Sequence, residues 1–197
     1  MGSEKRMKAM EEKRARILEA AIQLFAENSY EQTTVAQVAK RAGVSFGTVF
    51  THFETKEELY FYSVKEPIDQ LVAELLQFDA FTDDALDEIQ RMVKAHLQLF
   101  RQCKIYLQLI VRVNATHEQF PEVFQLVYER TQQLNEQIRQ LIENGQQRGQ
   151  LVEGPPEFIA TSYISFLFGL ELSYIDELGD DLIDIYTRIA IRLFGPK

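Results

Sequence analysis

Apolar residues recur every three or four positions along much of the 197-residue chain, and no segment shows the strict alternation typical of a strand. This pattern predicts an all-α fold of about nine helices. Gly154, Pro155 and Pro156 form the sharpest break in the pattern. The expected helices span residues 8–28, 34–41, 45–52, 56–78, 84–101, 103–115, 120–148, 157–177 and 181–194.

The second and third of these helices are short and are joined by a tight turn. Thr34 followed by Gln37 has the spacing of a capping box, in which each side chain bonds the backbone of the other residue. Gly43 supplies the left-handed backbone that ends a helix, and Ser45 can cap the next one. A helix, a short turn with glycine and a second helix are the layout of a helix-turn-helix.

The helix at 45–52, with the residue after it, divides into two sides when its residues are placed at helical spacing. One side holds only apolar residues: Phe46, Val49, Phe50 and Phe53. The other side holds Gly47, Thr48, Thr51 and His52, whose polar groups suit base edges and phosphates. An amphipathic helix with a solvated polar side is the alternative, and the helix-turn-helix spacing favours DNA contact.

Thr55 and Glu58 form a second capping-box pattern, which predicts that the fourth helix begins at residue 56. Lys56 then lies in the first turn, where a cation opposes the helix dipole by roughly 0.3–1 kcal/mol. A phosphate at this helix start would resolve the conflict, because free amides and the lysine would both face it. A solvated lysine is the alternative.

The charge of the chain is unevenly distributed. The net charge is −9, but residues 1–56 carry nine Lys/Arg against seven Asp/Glu, which leaves −11 for residues 57–197. The acidic remainder would turn the basic end toward DNA, although acidic surfaces also serve solubility. A single cysteine, Cys103, excludes an internal disulfide. Without an apolar signal segment or an 18-residue apolar run, we expect a cytoplasmic protein with no membrane span.

The first third of the chain resembles the tetracycline-repressor-like (TetR) family of bacterial transcription regulators. This resemblance implies a three-helix DNA-binding domain over residues 1–55. A helical ligand-binding and dimerisation domain would follow over 56–197, with 56–78 as the linking helix. The residues that carry the resemblance are Arg16, Ile17, Leu18, Ala20, Ala21, Leu24, Phe25, Thr33, Thr34, Val35, Val38, Ala39, Ala42, Gly43, Val44, Ser45, Gly47, Thr48, His52, Phe53, Lys56, Glu57, Glu58 and Leu59.

The resemblance also bears on two phenylalanines of the helix at 45–52. Positions equivalent to Phe46 and Phe50 often face DNA in the family, and Phe50 stands where a tyrosine is common. Phe46 stands where a polar residue is frequent, so it either touches a thymine methyl group or packs inward. A lysine at position 56 meets phosphate in the family. The candidate DNA-binding residues are Thr34, Ser45, Phe46, Gly47, Thr48, Phe50, Thr51, His52 and Lys56.

The last two predicted helices are apolar on more than one side, so one side requires a partner subunit. The resemblance likewise implies a homodimer through a four-helix bundle. Between residues 84 and 177, aromatic residues interrupted by a few polar ones suggest either a pocket for a small lipophilic effector or plain core. Arg112 would suit an anionic effector and Glu171 a cationic one, unless they pair. The candidate ligand-binding residues are His96, Phe100, Tyr106, Arg112, Phe124, Tyr128, Phe166 and Glu171.

Enzyme chemistry has little support in the sequence. The three histidines lack metal-ligand spacing, and phosphate-binding glycine loops and hydrolase motifs are absent, so no cofactor or metal is expected. We therefore expect a ligand-responsive DNA-binding regulator, most simply a repressor. The alternatives are a constitutive dimeric DNA-binding protein, or an acidic helical adaptor or enzyme that carries a helix-turn-helix.

Overall fold

The computed structural model of the protein describes residues 2–172 and 179–196. Within these residues the fold is all-helical, which confirms the predicted class, and the one β-type pairing is an isolated bridge between Leu151 and Pro196. A short 3-10 helix, Arg192–Phe194, lies near the end of the described residues. The α-helices are α1 Gly2–Glu27, α2 Val35–Ala42, α3 Phe46–His52, α4 Lys56–Leu75, α5 Ala85–Gln102, α6 Lys104–Ala115, α7 Pro121–Gln147, α8 Pro156–Leu172 and α9 Asp180–Ile191.

Three described helix ends differ from the sequence prediction by three residues or more: the start of α1, the end of α4 and the end of α9, which lies at Ile191 rather than residue 194 and is followed by the 3-10 helix. Helix α1 begins at Gly2 rather than residue 8, because the early charged residues are good helix formers even without an apolar stripe. Helix α4 ends at Leu75 rather than residue 78, where the amide of Gln77 donates to the carbonyl of Glu74 in a tighter turn. The predicted extension of α8 from 173 to 177 lies outside the described residues.

The chain forms two compact units that are not continuous in sequence. The first contains the described residues up to Ile68 together with Ile105–Val127. The second contains Asp69–Lys104 and the described residues from Tyr128 onward. The predicted division at residue 55 concerns function rather than compactness, and it remains a prediction.

Each unit has its own hydrophobic core. Full burial of a large apolar side chain stabilises a fold by about 1.5–3 kcal/mol. In the first unit, α1 to α4 contribute the buried side chains Ile17, Phe25, Val38, Val49, Phe53 and Leu59. In the second unit, the largest buried side chains include Ile89, Leu97, Ile138, Tyr163 and Phe194. None of the described helices is long and apolar enough to span a membrane.

Candidate nucleic-acid interface

The turn between α2 and α3 is fixed by local hydrogen bonds. The amide of Gln37 donates to the Thr34 hydroxyl (3.2 Å), and the amide of Thr34 donates to the Gln37 side-chain oxygen (2.7 Å), so the predicted capping box is confirmed. Gly43 adopts the left-handed conformation, with φ 64° and ψ 40°. The next amide, that of Val44, donates to the carbonyl of Ala39 at 3.0 Å. These bonds set the angle at which α3 leaves the turn.

The polar residues of α3 bond one another and the backbone of the helix. Ser45 caps α3 by accepting from the amide of Thr48 (3.2 Å), and the two hydroxyl oxygens lie 2.7 Å apart. The Thr51 hydroxyl donates to the carbonyl of Gly47 at 3.1 Å. A hydroxyl that donates one bond still accepts others. These side chains are therefore held in place and can still accept hydrogen bonds from a ligand.

The apolar side of α3 separates into a buried and an exposed part. Val49 and Phe53 are buried, whereas Phe46 and Phe50 keep 55% and 41% of their surface exposed. Only Val49 and Phe53 of this apolar side therefore contribute to the core. Successive helical residues are rotated by about 100°, so Phe50 points about 100° away from its neighbour Val49. The choice between inward packing and exposure is settled in favour of exposure.

Lys56 has a partner that sequence reasoning missed. Its Nζ lies 4.0 Å from the centre of the Tyr30 ring, which is a cation–π contact. The Tyr30 hydroxyl donates to the Glu57 carboxylate at 2.6 Å. Burial, followed by this bond to Glu57, raises the pKa of Tyr30. The ring thus holds the lysine at the start of α4, offsetting the unfavourable dipole. No short-range sequence signal links residues 26 positions apart.

The predicted capping box at the start of α4 forms in part. The amide of Glu58 donates to the Thr55 hydroxyl at 3.0 Å, as expected. The returning bond is different, because the Glu58 carboxylate accepts from the amide of Glu54 rather than that of Thr55. The carboxylate therefore stabilises the segment between α3 and α4, which fixes Lys56 relative to α3.

Arg14 connects α1 to the segment after α3. Its guanidinium lies 5.1 Å from the centre of the Phe53 ring and 5.3 Å from that of Tyr62, and it forms an ion pair with Glu66. Burial, then the positive charges of Arg14 and Lys13, lower the pKa of His52. The imidazole at the end of α3 is thereby favoured in its neutral form, with one donor and one acceptor.

Helix α6 is bonded to the end of α1 inside the first unit. The Arg112 guanidinium donates to the carbonyls of Ala26 (2.8 Å) and Glu27 (3.2 Å), where the dipole of α1 favours a cation. The Tyr106 hydroxyl donates to the carbonyl of Val64 in α4 at 2.9 Å. Both side chains were predicted to face a ligand pocket, but these polar groups bond the carbonyls of neighbouring helices.

The segment between α6 and α7 also contacts the segment after α1 and the start of α4. The ring of Phe120 lies 4.6 Å from that of Tyr30 and 4.9 Å from that of Tyr60, measured between ring centres. The side-chain amide of Gln119 donates to the Glu31 carboxylate at 2.6 Å. Tyr30 is thus shared between Phe120 and Lys56, so this segment and the start of α4 contact one aromatic cluster.

The other candidate ligand-binding residues are distributed over both units, and their ligand roles remain predictions. In the first unit, Phe124 lies 5.5 Å from the ring of His117. In the second unit, His96 is buried with both ring nitrogens hydrogen-bonded, and the buried Phe100 meets Phe168 edge-on at 6.5 Å. Phe166 lies 6.2 Å from Tyr186, Tyr128 is exposed, and the Glu171 side chain is outside the described residues.

The described side chains do not form the arrangement that a metal site requires. Among them, no group of three or more His, Cys, Asp or Glu residues is placed to hold a metal ion. A surface groove of about 530 Å³ lies between the starts of α4 and α7 in the first unit. Its walls include Tyr60, Phe61, Phe120 and Glu122.

Comparison with known proteins identifies the N-terminal segment. Residues 17–62 match the family model for bacterial regulatory proteins of the TetR family. The chain is 30% identical over 93 residues to the fatty acid metabolism regulator protein of Bacillus subtilis, covering 47% of this chain and 48% of that protein. It is 37% identical over 68 residues to the transcriptional regulator HbdR of Aromatoleum, covering 34% and 30%. The chain thus spans about half or less of the length of these curated relatives.

Solved structures share the whole fold. A bacterial regulatory protein of the TetR family from Rhodococcus RHA1 superimposes with a TM-score of 0.80 at 23% identity, covering 94% of this chain and 98% of that one. The fatty acid degradation regulator FadR of Bacillus halodurans gives a TM-score of 0.71 at 19% identity, covering 92% and 94%. At these identities the likeness establishes the fold alone.

A capped helix-turn-helix followed by a helical domain is the architecture of helix-turn-helix regulatory proteins. The match over residues 17–62 narrows this broad architecture to one family for the N-terminal segment. The N-terminal segment thus matches the TetR family of bacterial regulatory proteins, as its sequence pattern predicted, and the chain shares the fold of solved structures of that family. The relatives named above are regulators rather than enzymes.

Proposed function

We propose that the protein is a cytoplasmic, ligand-responsive transcriptional regulator that binds operator DNA as a homodimer and acts as a repressor. The observation that carries this proposal is the recognition helix α3. It follows a capped turn, buries only Val49, and leaves Ser45, Gly47 and Thr51 exposed. A helix presented in this way fits the major groove, where its N-terminal residues meet base edges.

The predicted DNA-binding residues then divide by chemistry. Thr48 and His52 offer a hydroxyl and an imidazole to base edges. A methyl group built on Gly47 would meet no atom within 4 Å, so the helix surface there is open to close approach by DNA. Thr34 and Lys56 lie at helix starts, where backbone amides favour phosphate. Tyr30 limits the freedom of Lys56, so less conformational entropy is lost when Lys56 meets a phosphate.

The homodimer would form through α8 and α9. Ile185 and Ile189 lie one turn apart on α9 and keep 40% and 44% of their surface exposed. Leu172 and Leu193 are also exposed apolar residues of this region. A second copy of the chain would cover such a surface in an isologous interface. Two recognition helices related by a two-fold axis read half-sites about 34–36 Å apart.

The effector would bind in the second unit against aromatic side chains such as Phe100 and Phe168. Two similar proteins are named as regulators of fatty acid metabolism or degradation, which supports acyl compounds as the first class to test. The hydrogen bonds of Arg112 and Tyr106 would transmit a movement of α6 within the first unit, because their acceptors are carbonyls of α1 and α4.

The proposal is tested by measuring binding to duplex DNA that flanks the protein's own gene. We expect a palindromic segment to bind with an affinity that falls steeply between low and physiological salt, because phosphate contacts release counterions. An acyl compound should then release the DNA. Binding that ignores both sequence and salt would rule out the proposed function, whereas specific binding without release would favour the constitutive alternative.

A further inference from the structure

Phe46 and Phe50 form an exposed aromatic pair on the recognition helix. Their ring centres lie 5.1 Å apart and their planes meet at 64°, an edge-to-face arrangement. Both side chains are on the solvent side of α3, with Val49 buried behind them. A phenylalanine ring cannot donate or accept the hydrogen bonds by which most side chains read bases. The pair therefore needs a different kind of contact on DNA.

The major groove offers one apolar group on the base edges, the C5 methyl group of thymine. We propose that Phe46 and Phe50 read thymine in the operator by contact with this methyl group. This inference rests on the proposed DNA-binding function and names the chemical group that α3 recognises in the operator. Each half-site then contains thymines at two nearby positions, on either strand, where the methyl group rather than the base-pairing edge determines affinity.

The spacing of the two rings fits this role. Residues four apart on a helix are separated by about 6 Å along its axis, and the two ring centres are 5.1 Å apart. Base pairs of B-DNA follow one another at about 3.4 Å. The two rings can therefore cover methyl groups on base pairs one or two steps apart. Phe46 begins α3, the part of a recognition helix that meets base edges.

The neighbouring side chains favour a major-groove contact. Gly47 and Thr51 lie beside the two rings on the same exposed helix. The Thr51 hydroxyl is already held by the carbonyl of Gly47 (3.1 Å) and can still accept a hydrogen bond. The contact between the two rings holds both in place before binding, so little side-chain entropy is lost on DNA. Covering the pair also removes exposed aromatic surface from water.

The test separates the methyl group from the rest of the base. Duplexes that bind the parent protein are selected from a random pool, and each thymine of a half-site is replaced in turn by deoxyuridine, which lacks only the methyl group. We expect about fourfold weaker binding for each methyl group read, since a buried methylene is worth about 0.8 kcal/mol. The loss should disappear in Phe46→Ala for one thymine and in Phe50→Ala for the other.

A second substitution reverses the experiment. Placing 5-methyl-deoxycytidine at either position should improve binding over deoxycytidine by a similar factor, because it restores the methyl group without the thymine oxygen. Phe81→Ala removes an exposed phenylalanine of the second unit and serves as the matched control, which should keep the full methyl effect. If an alanine variant binds too weakly to measure, the comparison is made at lower salt, where phosphate contacts strengthen binding.

The outcomes distinguish the inference from the proposed function. Failure of the parent protein to select any sequence would overturn the regulatory function itself. Selection of a defined sequence with equal affinity for thymine and deoxyuridine would leave that function intact and overturn methyl readout. That result is also the one expected if the rings act as wedges between base pairs, because unstacking does not require the methyl group.

Discussion

The Tyr163 hydroxyl lies 3.0 Å from Nδ1 of His96 in the core of the second unit, while Nε2 of the same imidazole lies 2.7 Å from the carbonyl of Leu75. A carbonyl can only accept, so Nε2 carries the proton. Burial, the main influence, lowers the pKa of His96 to about 4, which leaves Nδ1 free to accept from Tyr163. The two side chains therefore fix a neutral histidine with a single tautomer.

This arrangement predicts a loss of stability in mild acid. The pKa of His96 in the folded protein is about 4, below the ordinary value of 6.5, so the unfolded chain binds more protons between these pH values. The free energy of unfolding should fall as pH drops from 6.5 to 4, by up to about 3 kcal/mol from this group. The free energy of unfolding, measured by urea titration at several pH values, should depend less steeply on pH in His96→Gln than in the parent. The exposed His117→Gln variant is the control and should keep the parent slope.

The DNA contacts of the recognition helix and of Lys56 should differ in sequence dependence. Thr48→Ala and His52→Ala should weaken binding to a selected operator more than binding to random duplex, because base edges carry sequence information. Lys56→Ala should weaken both about equally and reduce the salt slope by about one. Fluorescence anisotropy at several salt concentrations measures both effects. Lys94→Ala, which removes a surface ion pair of the second unit, is the control. A change of preferred sequence in Lys56→Ala alone would reverse these roles.

The proposed interface predicts that a charge on the exposed side of α9 disrupts the dimer. Ile185→Asp or Ile189→Asp would bury an unpaired carboxylate and weaken association by several kcal/mol. Sedimentation velocity should show monomers. Circular dichroism should show that the helicity of these variants is unchanged. Phe166→Asp is a less selective test, because that ring already contacts Tyr186 within the protomer. Phe81→Asp alters an exposed residue elsewhere and should leave the dimer intact. A dimer that persists in both isoleucine variants would place the interface on another surface.

A lipophilic effector should stabilise the folded protein by an amount that rises with the logarithm of its concentration divided by its dissociation constant. At a hundredfold excess over its dissociation constant, a specific ligand stabilises the folded state by about 2.7 kcal/mol. Thermal-shift measurements with acyl compounds, neutral aromatics and lipophilic cations would identify the class. Phe100→Ala should reduce the shift, and Glu171→Gln should reduce it for cations only. If no class raises the melting temperature or releases DNA, the second unit serves dimerisation alone.

The bonds from Arg112 to the end of α1 should contribute to the stability of the first unit. Arg112→Ala removes a charged donor from two carbonyls, which should cost about 1–3 kcal/mol. Hydrogen exchange at the end of α1 should accelerate, and Arg112→Lys should restore part of the protection. Arg148→Ala removes an ion pair to the exposed Asp83 and is expected to have little effect. Equal exchange in parent and Arg112→Ala would show that these bonds do not stabilise α1.

The parts of the site that sequence reasoning predicted correctly depend on short-range chemistry. Thr34 with Gln37, the left-handed Gly43 and the Ser45 cap each act within a few residues, so their roles follow from local spacing. The all-helical class follows in the same way from the apolar period. The early start of α1 was missed because helix propensity alone, without an apolar stripe, maintains its first turns.

The parts that sequence reasoning missed depend on contacts between distant residues. The ring of Tyr30 beneath Lys56 and the carbonyls of α1 that accept from Arg112 are visible only after folding. The exposure of Phe46 was undecided because a seven-residue helix has too few turns to define its buried side from spacing. The hydrogen bonds of Arg112 to the end of α1 were therefore not foreseen, and its role in ligand binding remains a prediction.

The membership of Ile105–Val127 in the first unit limits how regulators of this kind can be recombined. A chimera cut after α4 would keep the recognition helix but discard Arg112 and Phe120, leaving the end of α1 without its donor and Tyr60 without one of its aromatic neighbours. A portable DNA-reading module from this chain would therefore have to carry both segments, one of which lies within the sequence of the other unit. Replacement of the second unit, the proposed site of effector binding, would require an exchange of the segments around Ile105–Val127 rather than a single fusion.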